Sequence, residues 1–311
     1  MRFSAGGVQR WFKTFGSSAG DLIGGVATDE AGTIIVVGKF AGTIDLGTGA
    51  RTSAGMGDLL IARYDGAGMV QSLDTFGGAA DEYASRSVID SAGRVYTVGS
   101  FNGGSTNLGT GTIANAGGYD AFAARYAFGT GYTAELATPI GGAMNEFAFA
   151  TGVDRAGRSI AVGEFDGSLD LGFGAMTTAG GRDVFVLGLD AAGTPRFVRQ
   201  FGGANFDSAD VAVVLPDDHI VVGGGISGTF DLGTGVQTTA NGVGYVVELF
   251  PDGTTRSAAT IEASNGALIS ALAVDPSGGF VVAGSFSGTL PLGGMTVDSA
   301  GQYAVFIASF R

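Results

Sequence analysis

The chain has 311 residues, of which 58 are Gly, 6 are Pro and none is Cys, and its formal net charge is −13. That charge argues against nucleic acid and anionic membrane surfaces, which need a basic face. The lack of cysteine excludes disulfides, thiolate metal sites and cysteine nucleophiles, and a single histidine, His219, excludes a three-histidine zinc site.

The first residues, "MRFSAGGVQRWFKTFG" (1–16), lack the apolar core of a signal peptide. They read as the end of one strand and the whole of the next. "LIGGVATDEAGTIIVVGKF" (22–40) predicts two strands around the turn "DEAG". Next comes the Gly-rich "FAGTIDLGTG" (40–49), and then "DLLIARYDGAGMVQSLDTFGG" (58–78), a second hairpin turning at "DGAG". One unit is therefore four strands, A and B, a linker, then C and D. Its turns recur as "DSAG" (90–93), "DRAG" (154–157), "DAAG" (190–193) and "DPSG" (275–278), and its linker as "FNGGSTNLGTG" (101–111), "FDGSLDLGFG" (165–174), "ISGTFDLGTG" (226–235) and "FSGTLPLGGM" (286–295). No apolar run approaches the length of a membrane span.

Two anchors measure the period. Phe15, Phe76, Ile140, Phe201 and Ile261 step by 61, 64, 61 and 60 residues. The Gly closing strand B, read as Gly38, Gly99, Gly163, Gly223 and Gly284, steps by 61, 64, 60 and 61. Five copies fill the chain as repeat units of about 10–70, 71–132, 133–195, 196–255, and 256–311 plus 1–9. Four antiparallel strands repeated in this way predict an all-β fold, a five-bladed β-propeller in one domain of residues 1–311, and a monomer; a solenoid would have shorter repeats and distinct caps. The last unit stops at a strand-C segment, "YAVFIASFR" (303–311), and the first residues match strand D. The N-terminal strand is thus expected to complete the C-terminal blade and close the ring, with Trp11 as a closure contact.

The pattern "GGxxxDxxxxVxxDxxGxxxVxGxF", then "GTxDLGTG", "AGxxDxFxxRYDxxG" and "xFGG", resembles the bacterial β-propeller repeat called SBBP, across all five units. The resemblance implies a propeller module of a secreted or surface-attached bacterial protein, acting in binding or display. It implies no established catalytic residues. Its name implies seven blades, where this chain has five.

Acids follow the Gly turn before strand A: Asp21, Glu82, Glu146 and Asp207, with Ala267 in the fifth unit. They are candidates for a ligand-binding mouth or for Ca²⁺, which takes several oxygen ligands. The competing reading is that each carboxylate ties down the N–H groups of its own loop. The linker residues Asp45, Asn107, Asp170 and Asp231, with Pro291 in the fifth unit, read as turn closers beside a constant Leu-Gly that plugs the blade. Asp58, Asp120 and Asp183 open strand C, and Gly244 and Ala304 are read in their place later. Function is sought where one unit breaks the pattern. Asp210 stands where the others have Gly24, Ser85, Phe149 and Ser270, and Arg86 where they have Gly25, Ala150, Val211 and Ala271. Asp207, Asp210 and Glu146 form the nearest approach to a carboxylate cluster. The expected function is a non-catalytic binding or scaffold module for a protein or glycan ligand. The alternatives are a lectin-like propeller with several sugar sites and a glycoside hydrolase using those acids. His219 reads as a surface turn residue.

Overall fold

The computed structural model describes residues 2–3, 6–29, 31–275 and 279–310. Every regular element among them is a β-strand. The chain divides into two compact units, Met1–Ile140 and Gly141–Arg311.

The first unit holds two antiparallel four-stranded sheets, each in the order A-B-C-D. The first is Leu22–Thr28, Ile34–Phe40, Asp58–Tyr64 and Val70–Phe76, and the second is Asp81–Ile89, Val95–Asn102, Tyr119–Phe128 and Tyr132–Ile140. Ile35, Val37, Leu59 and Ile61 of the first sheet pack against Phe101, Phe122 and Tyr126 of the second. Burying each large apolar side chain contributes about 1.5–3 kcal/mol. Strand C reads "DLLIARY", almost continuously apolar, because both of its faces are covered.

The second unit repeats this plan twice and adds a sheet of three strands. The third sheet is Glu146–Val153, Ser159–Phe165, Asp183–Leu189 and Pro195–Phe201; the fourth is Ser208–Val214, Ile220–Asp231, Val236–Leu249 and Thr255–Ile261. The fifth has three strands, Ala267–Val274, Phe280–Leu292 and Met295–Phe310. Val184 and Val186 of the third sheet share a core with Phe230, Tyr245 and Val247 of the fourth. Val221 and Val246 of the fourth share another with Phe280, Phe286 and Phe306 of the fifth. The expected turn at 275–278 lies, apart from Asp275, outside the described residues.

The backbone register sharpens the repeat. The Gly of strand B that faces the residue before the strand-A bulge is Gly38, Gly99, Gly163, Gly224 and Gly284. The fourth-unit anchor is therefore Gly224, not Gly223, and the steps become 61, 64, 61 and 60, identical to those of the other anchor. Glycine is required there by close approach. An added Cβ would lie 2.1, 2.0, 1.8, 2.0 and 2.0 Å from the carbonyl oxygens of Leu22, Tyr83, Phe147, Ser208 and Leu268. The same register sets Val243, not Gly244, opposite Ile226, in the place held by Asp58, Asp120 and Asp183. Strand A of every sheet carries a bulge at one position: Gly24, Ser85, Phe149, Asp210 and Ser270.

The Gly-rich linker folds back as a short hairpin, Thr43–Ile44 with Arg51–Thr52 in the first unit of the repeat and Ser105–Asn107 with Thr112–Ala114 in the second. Its side chain toward the sheet is Ile44, Thr106, Leu169, Phe230 or Leu290, each buried. The constant Leu two residues on is buried at Leu108 and Leu232 and only half-buried at Leu46 and Leu171. The plug is thus the residue before the acid more than the Leu after it, because strand alternation turns that side chain inward. The linker acid closes the turn: Asp45 Oδ1 accepts from the N–H groups of Gly47 (2.7 Å) and Gly49 (3.2 Å), and Asn107 and Asp231 do the same for their own glycines.

One expectation does not hold. The segment expected to give the fifth sheet its fourth strand forms a local hairpin instead, Gln9–Trp11 with Arg2–Phe3. Trp11 stacks on Tyr64 and its indole N–H donates to Gly66 O at 3.3 Å, so it covers the "DGAG" turn of the first sheet and is not a closure contact. A hairpin of short sequence separation costs little chain entropy, and the indole finds both its ring contact and its acceptor within the first sheet.

Candidate functional site

Of the four acids that follow the Gly turn, Asp21, Glu146 and Asp207 serve their own loops, whereas both carboxyl oxygens of the buried Glu82 have no hydrogen-bond partner among the described residues. Asp207 accepts from Gly203 N–H (2.6 Å) and Ser227 N–H (2.8 Å). Asp21 accepts from the N–H groups of Ser17 and Ala41, and Glu146 from that of Gly142 at 2.7 Å. The strand-C acids bind the N–H four residues back in the same way: Ala54 to Asp58 (3.0 Å), Ala116 to Asp120 (2.6 Å) and Ala179 to Asp183 (3.1 Å). In the fifth sheet, where Ala267 replaces the acid, Ser264 Oγ accepts from Thr289 N–H at 2.9 Å. Burial pushes Asp207 up to about 6 and Glu82 up to about 7, the latter helped by the nearby charge of Asp58, and it raises Asp58, Asp120 and Asp183 as well. Among the described residues, no group of three or more His, Cys, Asp or Glu side chains is placed to hold a metal ion.

Asp210 is different. It is the bulge residue of strand A in the fourth sheet, so its backbone is left out of the pairing. Its hydrogen-bond partner is the neighbouring Ser208 Oγ, at 2.8 Å. Its carboxylate neighbour is Glu164, on strand B of the third sheet, and each is held above the usual range chiefly by burial. At the position of Glu164 the other sheets carry Lys39, Ser100, Gly225 and Ser285. Glu164 was not singled out by sequence reasoning; it becomes a candidate only when the two sheets are set side by side.

A third departure lies beside these two. Strand C places Leu60, Phe122, Phe185, Tyr245 and Phe306 opposite the strand-B glycine. Only the fourth sheet adds a hydroxyl. Tyr245 is fully buried, and its hydroxyl has no hydrogen-bond partner among the described residues. Burial first, and then the charges of Asp210, Asp207 and Glu164, hold its pKa well above the usual phenol value.

The rim is aromatic and cationic. Arg182 donates to Glu164 and to Asp166, both at 3.3 Å, and its guanidinium lies 4.7 Å from the Phe147 ring and 6.0 Å from the Phe206 ring. Phe147 stacks parallel to Phe149, with centroids 6.1 Å apart. Phe206 is 74% exposed. Burial of the acids and the Tyr thus grades into an open aromatic edge within the second unit.

The remaining candidates stand apart from this cluster. Arg86 is exposed on strand A of the second sheet, in the first unit. Glu146 and Asp207 accept N–H groups of their own loops, and Asp207, like Asp210 and Glu164, acts through its charge on Tyr245. His219 is half-buried, its Nδ1 3.2 Å from both Asp217 and Glu248, and its ring meets Phe250 edge-on. In the first unit a concavity of about 530 Å³ is walled by Trp11, Phe15, Ile23, Val26, Val36 and Tyr64, which makes it chiefly apolar. Compared with family models and with curated proteins, the chain matches none.

Proposed function

We propose that the chain is a non-catalytic binding module, its five sheets the blades of one β-propeller of the kind its SBBP-like repeats suggest, carried by a secreted or surface-attached bacterial protein. The five-fold register, with the same bulge and the same close-packed glycine in every sheet, supports five equivalent blades. One observation carries the binding reading. Most of the acids at fixed places in the repeat bind N–H groups of their own loops, whereas three polar residues that break the repeat, Glu164, Asp210 and Tyr245, lie on the third and fourth sheets, which share one core. Residues serving the scaffold repeat with it; residues serving a ligand need not. This differs from a lectin with several like sites, since only one blade junction carries the trio.

The test uses the triple variant Glu164→Ser, Asp210→Ser, Tyr245→Phe, in which each position takes a residue found in a sister sheet. Wild-type chain and variant are screened on glycan and protein arrays and against chromogenic glycosides. The reading expects a ligand held by wild type and lost in the variant, with no turnover of any glycoside. Turnover abolished in the variant would replace it with the hydrolase reading.

A further inference from the structure

The first and fifth sheets carry matching deficits. Among the described residues the fifth sheet has strands A, B and C and no strand D, so Met295–Phe310 is an edge with one row of backbone groups unpaired. One of its faces is bare as well. Val305 and Ile307 are 83% and 73% exposed. The residues at the same register places in the first and third sheets, Leu59 with Ile61 and Val184 with Val186, are fully buried in cores shared with the sheet that follows.

Residues 8–15 show the converse. "VQRWFKTF" opens on Val-Gln and closes on Thr-Phe, as does strand D of the first sheet, "VQSLDTF" (70–76). Among the described residues its strand Gln9–Trp11 pairs with Arg2–Phe3 alone. Its seat is nevertheless that of a strand D. Strand D of the first sheet reaches the C–D connection of the second, where Asp74 accepts from Tyr132 N–H at 2.9 Å. Strand D of the third reaches that of the fourth, where Phe197 packs on Gly253 and Arg199 donates to the Gly253 carbonyl. Trp11 does the same to the first sheet, packing on Gly68 and donating to Gly66 O. Beside it the first sheet is open. Ile23 is 52% exposed, where Ala84, Ala148, Ala209 and Ile269 at the same register place are buried. The concavity bounded by Trp11, Phe15, Val26 and Val36 lies on this face.

A strand D short of its sheet and a sheet short of its strand D are the two halves of one junction. What fills the corresponding place on the second sheet is the apolar face of strands B and C of the first: Ile35, Val37, Leu59 and Ile61. The open face of that kind belongs to the fifth sheet, and a single chain leaves both halves exposed. We propose that the first-sheet face takes the fifth-sheet face of a second copy, with residues 8–15 of one chain extending Met295–Phe310 of the other as its fourth strand. This rests on the reading of the sheets as equivalent blades and adds what covers the end blades. Main-chain bonds along the added strand set the register, and Val305 and Ile307 lose their contact with water. Residues 303–310 carry no charge, so their burial strands none. The contact joins two different surfaces, so copies add head to tail.

Sedimentation velocity and light scattering over a range of concentrations test this on the full wild-type chain and on Ile23→Lys and Ile307→Lys. Wild type is expected to self-associate. Each variant alone should do so about tenfold more weakly or less, because a lysine stands where an isoleucine would be buried. The two variants mixed retain one intact pair of faces, the fifth-sheet face of Ile23→Lys and the first-sheet face of Ile307→Lys. They should form a complex of one copy of each that grows no further. Both positions are exposed in the single chain, so both variants are expected to fold, and circular dichroism and melting curves are recorded alongside. A wild type that stays monomeric overturns the proposal; if both variants then also melt lower, the two faces cover each other within one chain. Association that the variants leave unchanged runs through another surface and overturns it too, as does a mixture that forms no complex. None of these outcomes touches the ligand screen that decides the binding-module reading.

Discussion

Tyr245→Phe separates the demands of folding from those of binding. In the unliganded chain the Tyr245 hydroxyl is buried without a partner among the described residues. Leaving a buried polar group unsatisfied costs about 1–3 kcal/mol. Phenylalanine removes the oxygen and keeps the ring, in a place where Phe122 and Phe185 are fully buried and Phe306 nearly so. No cavity larger than one oxygen is left. Taking the lower end of the range, the variant should be stabilised by about 1 kcal/mol. Tyr126→Phe supplies the contrast, because the Tyr126 hydroxyl donates to Leu108 O at 3.1 Å in the second sheet. Losing that bond leaves a buried carbonyl short of a partner and should destabilise by about 1 kcal/mol. Urea denaturation reads both: the midpoint rises for Tyr245→Phe and falls for Tyr126→Phe, with unchanged slopes. A midpoint that falls equally in both variants would mean that the Tyr245 hydroxyl is already satisfied in the unliganded chain. The reading of that hydroxyl as an unused donor would then fail.

Three further outcomes follow from the same geometry. Burial lifts Glu82 from 4.5 to about 7, so the folded chain binds this proton more tightly than the unfolded chain. The resulting stabilisation is complete below about pH 4.5 and is lost as pH rises toward 7, an effect on the order of 3 kcal/mol. Denaturation at pH 5 and pH 8 should therefore show a loss in wild type that is absent in Glu82→Gln; parallel curves would refute it. Gly163→Ala places a methyl carbon 1.8 Å from Phe147 O and should destabilise by about 3 kcal/mol, read as a lowered melting temperature; an unchanged melt would contradict the close approach of strands A and B. Asp207→Ala strips two buried N–H groups, of Gly203 and Ser227, of their acceptor and should destabilise by about 3 kcal/mol in urea denaturation, whereas Asp231→Ala, at an exposed turn, should cost about 1 kcal/mol; equal effects would count against the structural role of Asp207.

The sheets were legible because turn chemistry is local. "DGAG" and "DLGTG" each place an acid where it accepts N–H groups two and four residues on, the acid of "DEAG" accepts the one four residues on, and such signals survive divergence elsewhere. Register failed only where the local signal was degenerate. The run Gly223-Gly224-Gly225 offers three glycines for one close-approach position, and only pairing with Ala209 selects the middle one. The same slip moved the strand-C equivalent from Val243 to Gly244, in a linker that has lost its Asp. The site was half legible. Asp210 announced itself as an acid among Gly, Ser and Phe. Glu164 and Tyr245 did not, because each sits in a run of ordinary strand residues and their relation to Asp210 spans two sheets. Comparing the five copies column by column in the corrected register would have exposed both, as an acid among Lys, Ser and Gly and as a hydroxyl among Leu and Phe. The N-terminal strand was misjudged because its sequence fits strand D, and sequence similarity does not state which edge a strand joins.

The bulge on strand A has an evolutionary consequence. Elsewhere along that strand the backbone is held in the ladder, residue by residue. The bulge residue alone is released from the pairing register, and it sits at one address in every sheet. Gly, Ser, Phe and Asp all occupy it without disturbing the register on either side. A repeat duplicated five times thus carries five copies of a socket in which a new side chain can be tried, one blade at a time, while the other four hold the fold.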